Sequence, residues 1–206
     1  MRREARLANR PFPGPASSLG ETLHGLDPIW LVLAGFGAGL TGSVAGLASL
    51  ISYPALLAVG LPPVSANVSN TVALVFTSVG SVWGSRPELK GQRARAKYLG
   101  PVAAAGGLTG GVLLLATPSA TFALVVPWLI GLAALTMLIP RKQNLKAPSG
   151  LLRPTWKLAL AVFLVAVYGG YFGAAAGVLL LALLLIATGE TLARSNAVKN
   201  LLVGLA

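Results

Sequence analysis

Asparagine recurs at one spacing in two distant places: Asn67 stands seven residues after Gly60, and Asn196 seven residues after Gly189. A second asparagine follows each, Asn70 in the first case and Asn200 in the second, with Ser69 beside Asn70 and Lys199 beside Asn200. Amide, hydroxyl and ammonium groups offer hydrogen bonds and one positive charge, which suits a small oxyanion. They supply neither a general base nor a nucleophile with its base. The chemistry on offer is binding, and Asn67, Ser69, Asn70, Asn196, Lys199 and Asn200 are the candidate substrate-binding residues. Thr41, Ser43, Ser49, Ser52, Thr71, Thr77 and Ser78 add neutral polar groups to the first half.

Harder chemistry has little to work with. The five acidic residues, Glu4, Glu21, Asp27, Glu88 and Glu190, all lie away from the middle of the apolar runs, His24 is the single histidine, and there is no cysteine. Thiolate metal sites and disulfides are excluded, and no zinc site can be assembled. Carriage of a cation through an apolar bundle usually needs a buried carboxylate or histidine, so cation transport is disfavoured. An enzyme is not expected, nor is any metal or cofactor. The competing role for the asparagines and serines is interhelical hydrogen bonding, and for Arg194 and Lys199 it is snorkelling to an interface.

These groups are set in long apolar runs. Of the 206 residues 55% are hydrophobic and 10% charged, with a mean hydropathy of +0.77, which makes the lipid bilayer the expected surrounding partner. No Asp, Glu, Lys, Arg or His occurs at 29–85, 98–140 or 158–189, and a further apolar stretch runs from Ser195 to Ala206. At roughly 20 residues per crossing this makes about six, expected at 29–59, 64–85, 98–116, 120–140, 158–188 and from 194 onward. The net charge of +11 is confined to short segments between the runs, so nucleic acid is not an expected partner. Arg2, Arg3, Arg6 and Arg10 precede the first run; Arg86, Lys90, Arg93, Arg95 and Lys97 separate the first two; Arg141, Lys142, Lys146, Arg153 and Lys157 separate the next. The connections at 60–65 and 117–119 carry no base. The positive-inside rule then places the N-terminus and every basic loop in the cytoplasm. Residues 1–28 lack the apolar core of a signal peptide and read as a disordered basic cytoplasmic tail. Trp30, Trp83 and Trp156 stand at run ends, as interfacial anchors do, whereas Trp128 lies mid-run and is expected to pack between helices.

Two runs are too long for one straight helix. Each would extend about 45 Å, against a hydrocarbon core of about 30 Å, so each must tilt strongly, break or re-enter. Both contain glycine clusters: Gly35, Gly37, Gly39, Gly42 and Gly46 in the first, Gly169, Gly170, Gly173 and Gly177 in the second. Gly42, Gly46, Gly173 and Gly177 are the expected helix-break glycines. Close helix packing is the alternative use of glycines spaced by four. The stretch Gly37–Gly42 matches a dinucleotide fingerprint formally, but it lacks the preceding strand and the following acidic residue that the motif needs.

The matching glycines and asparagines describe a weak internal repeat of two parallel units. The first repeat is expected over 29–140 with four crossings, a basic cytoplasmic loop over 141–157, and the start of the second over 158–206. The second unit is incomplete at Ala206, as if the chain were truncated at its C-terminus.

The segments GLTGSVAGLASLISYPALLAVGLPPVSANVSNTVAL and YGGYFGAAAGVLLLALLLIATGETLARSNAVKNLL resemble the sulfite exporter TauE/SafE family, the second more closely. That family has a glycine-rich first helix and a Ser/Thr/Asn-rich next helix in one half, then a YGGFFGAGAG-like start and an NALKNLL-like end in the other. The matching positions here are Tyr168 to Gly177 and Asn196 to Leu202. In the first half GSVAGLASL replaces a denser glycine run. The resemblance covers about 29–206 and implies a multi-pass permease of the bacterial cytoplasmic membrane that moves sulfite, sulfonates or related organosulfur anions.

The expected fold class is all-α: a polytopic transmembrane helix bundle of two parallel repeats, each with a glycine-broken first helix. The expected function is secondary transport of a small anion, in a protein that can form a homo-oligomer. The alternative is a non-transporting membrane subunit or assembly factor.

Overall fold

The computed structural model describes residues 27–138 and 155–206. The basic tail expected at 1–28 and the loop expected at 141–157 fall almost wholly outside the described residues. Within them every regular element is helical. The helices are α1 (Asp27–Ala45), α2 (Ala48–Ala58), α3 (Pro63–Gly84), the short α4 (Arg86–Leu89), α5 (Arg93–Ala116), α6 (Ser119–Leu138), α7 (Trp156–Tyr171), α8 (Ala176–Thr188) and α9 (Leu192–Leu205). Helix is what an apolar backbone must adopt where no water can satisfy its N–H and C=O groups.

Two segments, Pro28–Ala45 and Arg93–Ala116, are long and apolar enough to cross a membrane by length and composition. Chain breaks shorten several of the others. After Ala45 the backbone leaves the helix at Gly46, where φ is +78°; after Tyr171 it leaves at Phe172, passing Gly173 at φ +80° and Ala175 at φ +59°. Gly42 lies inside α1 and Gly177 inside α8.

Register along α5 fixes the direction of its neighbours. Leu99 and Leu158 share one core cluster. Farther along, a β-carbon on Gly106 would sit 2.6 Å from the Phe163 carbonyl oxygen, and Gly110 lies against the backbone of Val167 and Gly170. The contact advances in the same sense on both helices, so α5 and α7 are parallel and meet backbone to backbone, which only glycine permits.

Helix α8 then turns back. Gly169 faces Ala176 across the break, and Leu180 and Leu184 rejoin Leu158, Val162 and Leu99. Just past the end of α8, Glu190 reaches the start of α5: its Oε1 accepts from Gln92 at 3.1 Å and lies 3.6 Å from the Arg95 guanidinium. The expectation of one crossing over 158–188 is therefore corrected. That run is a helical hairpin whose two ends lie at the same end of the bundle, and α9 starts from there. Its break lies deep in the bundle because Phe172 packs on Tyr53 and Phe122, with ring centroids 5.3 and 6.1 Å apart.

Apolar side chains also cover the outside. Phe36, Phe76, Leu108, Leu115, Leu124 and Ile186 are all exposed, a surface that water would penalise and hydrocarbon would not. Trp30, Trp83 and Trp156 are exposed too, and so is Trp128, at 80%. The expectation that Trp128 packs between helices fails because the mid-run face of α6 points outward.

Candidate functional site

Two helices carry the polar groups. Pro63 opens α3, where its missing N–H costs nothing. From there Asn67, Asn70 and Ser78, with Ala66, follow helical spacing and are buried on one face. The same periodicity turns Ser69 outward, where it is exposed. Helix α9 starts at Thr191, whose hydroxyl accepts from the Arg194 N–H at 3.4 Å, and it buries Ser195, Lys199 and Asn200.

The asparagines bind the broken helices, and they do so reciprocally. Asn67 donates through Nδ2 to the carbonyl of Tyr171, the last residue of α7, at 3.1 Å. Asn196 donates to the Ser43 carbonyl in the last turn of α1, at 3.0 Å. Helix ends leave carbonyls without intrahelical partners, and each asparagine supplies a donor to the break in the other half. Lys199 joins Asn196: its ammonium donates to the carbonyls of Gly42 at 3.0 Å and Ser43 at 3.3 Å, a favourable place for a cation at the negative end of a helix dipole. Asn70 forms a third link, donating to Ser49 at 3.0 Å and accepting from Ser52, both on α2. The acceptor oxygens of Asn67 and Asn196 and the hydroxyl of Ser195 are buried without a hydrogen-bond partner.

The breaks themselves are in contact. A β-carbon on Gly46 would lie 2.5 Å from the Gly177 carbonyl carbon, and one on Gly177 would lie 2.8 Å from the Gly46 Cα.

Beside this junction is a cavity of about 160 Å³. Ser49, Thr71, Ser78 and Asn200 give it polar atoms, Leu74, Val162 and Leu180 give it apolar wall, and among the described residues Lys199 is the single charged side chain on its surface. Ala176 and Gly177, the first residues of α8, also line it. No side chain caps α8 at its N-terminus; the Ala176 N–H donates to the Gly173 carbonyl at 3.2 Å, and the positive end of the α8 dipole lies at the cavity wall. A cavity with one cation, several hydroxyls and a helix N-terminus can bind a small anion.

Of the sequence-identified residues, the structure brings Lys199 and Asn200 to the cavity wall along with Gly42, Gly46, Gly173 and Gly177. Asn67, Asn70 and Asn196 stand behind it as braces, and Ser69 belongs to neither group. Ser49 was passed over as a site residue although it faces the cavity; its three-residue offset from Ser52, which puts both hydroxyls near Asn70, was the available signal. The Gln92–Arg95–Glu190–Arg194 cluster had no sequence signature, since 98 residues separate Gln92 from Glu190. Among the described residues there is no group of three or more His, Cys, Asp or Glu side chains that could hold a metal.

No curated protein and no solved structure matches the chain. The model of the sulfite exporter TauE/SafE family matches residues 31–206. Matched over nearly all of its length, on a helical fold with an apolar exterior, the chain belongs to the sulfite exporter TauE/SafE family of membrane transporters.

Proposed function

We propose that this protein is a secondary transporter of a small anion, either sulfite or a sulfonate or related organosulfur compound, and that the cavity beside the Gly46–Gly177 junction is its binding site. One observation carries the proposal: Lys199, 1% exposed, is among the described residues the single charged side chain on a cavity lined by hydroxyls, an amide, glycine backbone and apolar side chains. A buried ammonium held by two carbonyls can exchange one of them for a cargo oxygen while the helix end keeps its bond to Asn196.

The positive-inside rule supports a cytoplasmic α3–α5 connection, because of Arg86, Lys90, Arg93, Arg95 and Lys97. The bonds from Glu190 to Gln92 and Arg95 support the α8–α9 connection on the same side. We take the segments from α1 to α6 and from α7 onward as two related units. Movement of one against the other, hinged where their breaks meet, would expose the cavity alternately to each side.

The test is efflux of labelled sulfite from proteoliposomes, followed by competition with a panel of sulfonates and carboxylates. Lys199→Ala is expected to abolish anion-dependent flux and Lys199→Arg to retain part of it. Equal flux in wild type and Lys199→Ala would remove the cavity from the transport path.

A further inference from the structure

The cavity is not isolated. A second cleft of about 290 Å³ opens between α3 and α9 and shares Val75, Ser78 and Gly204 with it as common wall. The two spaces meet where α3 and α9 touch: a β-carbon on Gly204 would lie 2.7 Å from Ser78 Cβ and 3.4 Å from its hydroxyl oxygen. That waist is narrow and carries one hydroxyl. From it the cleft runs past Val79 and Val82 on one side and Leu201 on the other, to Trp83 and Arg86.

Arg86 differs from Arg95 and Arg194, the arginines bound to Glu190. Arg95 and Arg194 are both paired with Glu190, whereas Arg86 has no ion pair among the described residues. Its guanidinium carbon lies 4.3 Å over the Trp83 ring, and both side chains are exposed. Glu88, two residues along, does not line the cleft. Stacking on indole occupies the face of a guanidinium and leaves its N–H edge free, and that edge matches a planar or pyramidal oxyanion. A positive charge at the mouth of a low-dielectric cleft also raises the local concentration of anions.

We propose that the α3–α9 cleft is the path by which the anion reaches the cavity, and that Arg86, seated on Trp83, is the capture site at its mouth. The proposal rests on the transport function above, and it adds a second anion site, a direction of entry from the basic end, and a waist at Ser78 and Gly204. Trp83 and Arg86 acting only as an interfacial anchor is the rival explanation.

The chain has no cysteine, so single cysteines can be introduced without background. Val82→Cys and Leu201→Cys, on different helices, report on the cleft, and Leu124→Cys reports on the apolar exterior. Each is exposed to membrane-impermeant thiol reagents, one anionic and one cationic, in vesicles of both orientations. Both cleft positions are expected to react from the basic-loop side, with the anionic reagent faster. Adding Arg86→Gln is expected to slow the anionic reaction, on the order of 10-fold, and Leu124→Cys to resist both charged reagents. Labelling without charge preference, a cationic preference, or no labelling at both cleft positions would overturn the proposal. Wild-type sulfite flux, measured separately, distinguishes the failures: flux without cleft labelling refutes the path alone, and labelling without flux refutes the transport reading while leaving an anion-attracting cleft.

Discussion

The two glycine-containing breaks are alike in composition and unlike in how they are fastened. In the first, α1 gives way to α2 at Gly46, with Gly42 against Ala48 across the break, and α2 carries Tyr53 onto the aromatic cluster with Phe122, near the α5–α6 turn. In the second, α7 stops at Tyr171 and α8 returns along it, with Gly169 facing Ala176, and Glu190 closes the hairpin against Arg95. Helix α1 ends under a charge-assisted pair, Lys199 and Asn196, whereas α7 ends under the neutral amide of Asn67. A glycine cluster permits a break; the partners beyond it determine what holds it.

Substitution at the junction gives the largest expected contrast. Gly46→Ala combines a disfavoured positive φ with a β-carbon inside the Gly177 backbone and is expected to cost on the order of 3 kcal/mol or more. At Gly173→Ala the β-carbon meets only the Gly169 carbonyl at 3.1 Å and the Ser49 hydroxyl at 3.7 Å, so its expected cost is mainly the backbone strain, about 1–2 kcal/mol. Thermal unfolding in detergent ranks the pair; equal loss would show that the junction is not in close contact.

The fastenings come next. Lys199→Met removes a charge-assisted donor and is expected to lower stability by about 1.5–3 kcal/mol. Asn67→Leu removes a neutral one, expected at about 1 kcal/mol. Denaturant titration of both variants in the same detergent measures the difference, and a larger effect at Asn67 would reverse the comparison.

Closure of the hairpin is expected to depend on pH. Burial acts to raise the pKa of Glu190, but hydrogen bonds from Gln92 and Arg194 and the charges of Arg194 and Arg95 outweigh it and hold the carboxyl below the usual value of 4.5. A depressed carboxylate contributes stability that is fully present above its unfolded pKa and is lost as pH falls through the folded one. Wild type is therefore expected to lose stability as pH drops below about 4.5, and Glu190→Gln, already weaker at pH 7 by up to about 1 kcal/mol, to lose less over that interval. Melting temperatures across pH 3 to 7, at roughly unit steps, check this; parallel curves for the two proteins would exclude the cluster as the hairpin's clasp.

Ser69→Ala is expected to do least. Its side chain faces outward, so neither flux nor melting temperature should move, within about 0.5 kcal/mol. A fall in sulfite efflux would mean that the outer face of α3 takes part in binding.

The inward face of α3 was legible because Asn67, Asn70 and Ser78 follow helical spacing, and Lys199 stood out as a cation within an apolar sequence. Ser69 was drawn in by adjacency along the chain, which a helix converts into a turn of about 100°. The run over 158–188 was legible as too long for one straight crossing, but its length allows tilting, breaking or re-entry alike, and hydropathy measures how much apolar chain there is without telling which of them occurs.

Charge-free runs, basic loops and the glycine–asparagine motifs therefore determined by themselves the helical class, the apolar exterior and the family, because these depend on local composition and short spacings. Only the tertiary structure decided that Asn67 and Asn196 brace opposite breaks, that Lys199 faces the cavity while bonded to Gly42, and that Glu190 returns to Arg95. Those pairings join residues 95 to 157 positions apart, and a helix end accepts whichever donor the packing of its neighbours brings within about 3 Å.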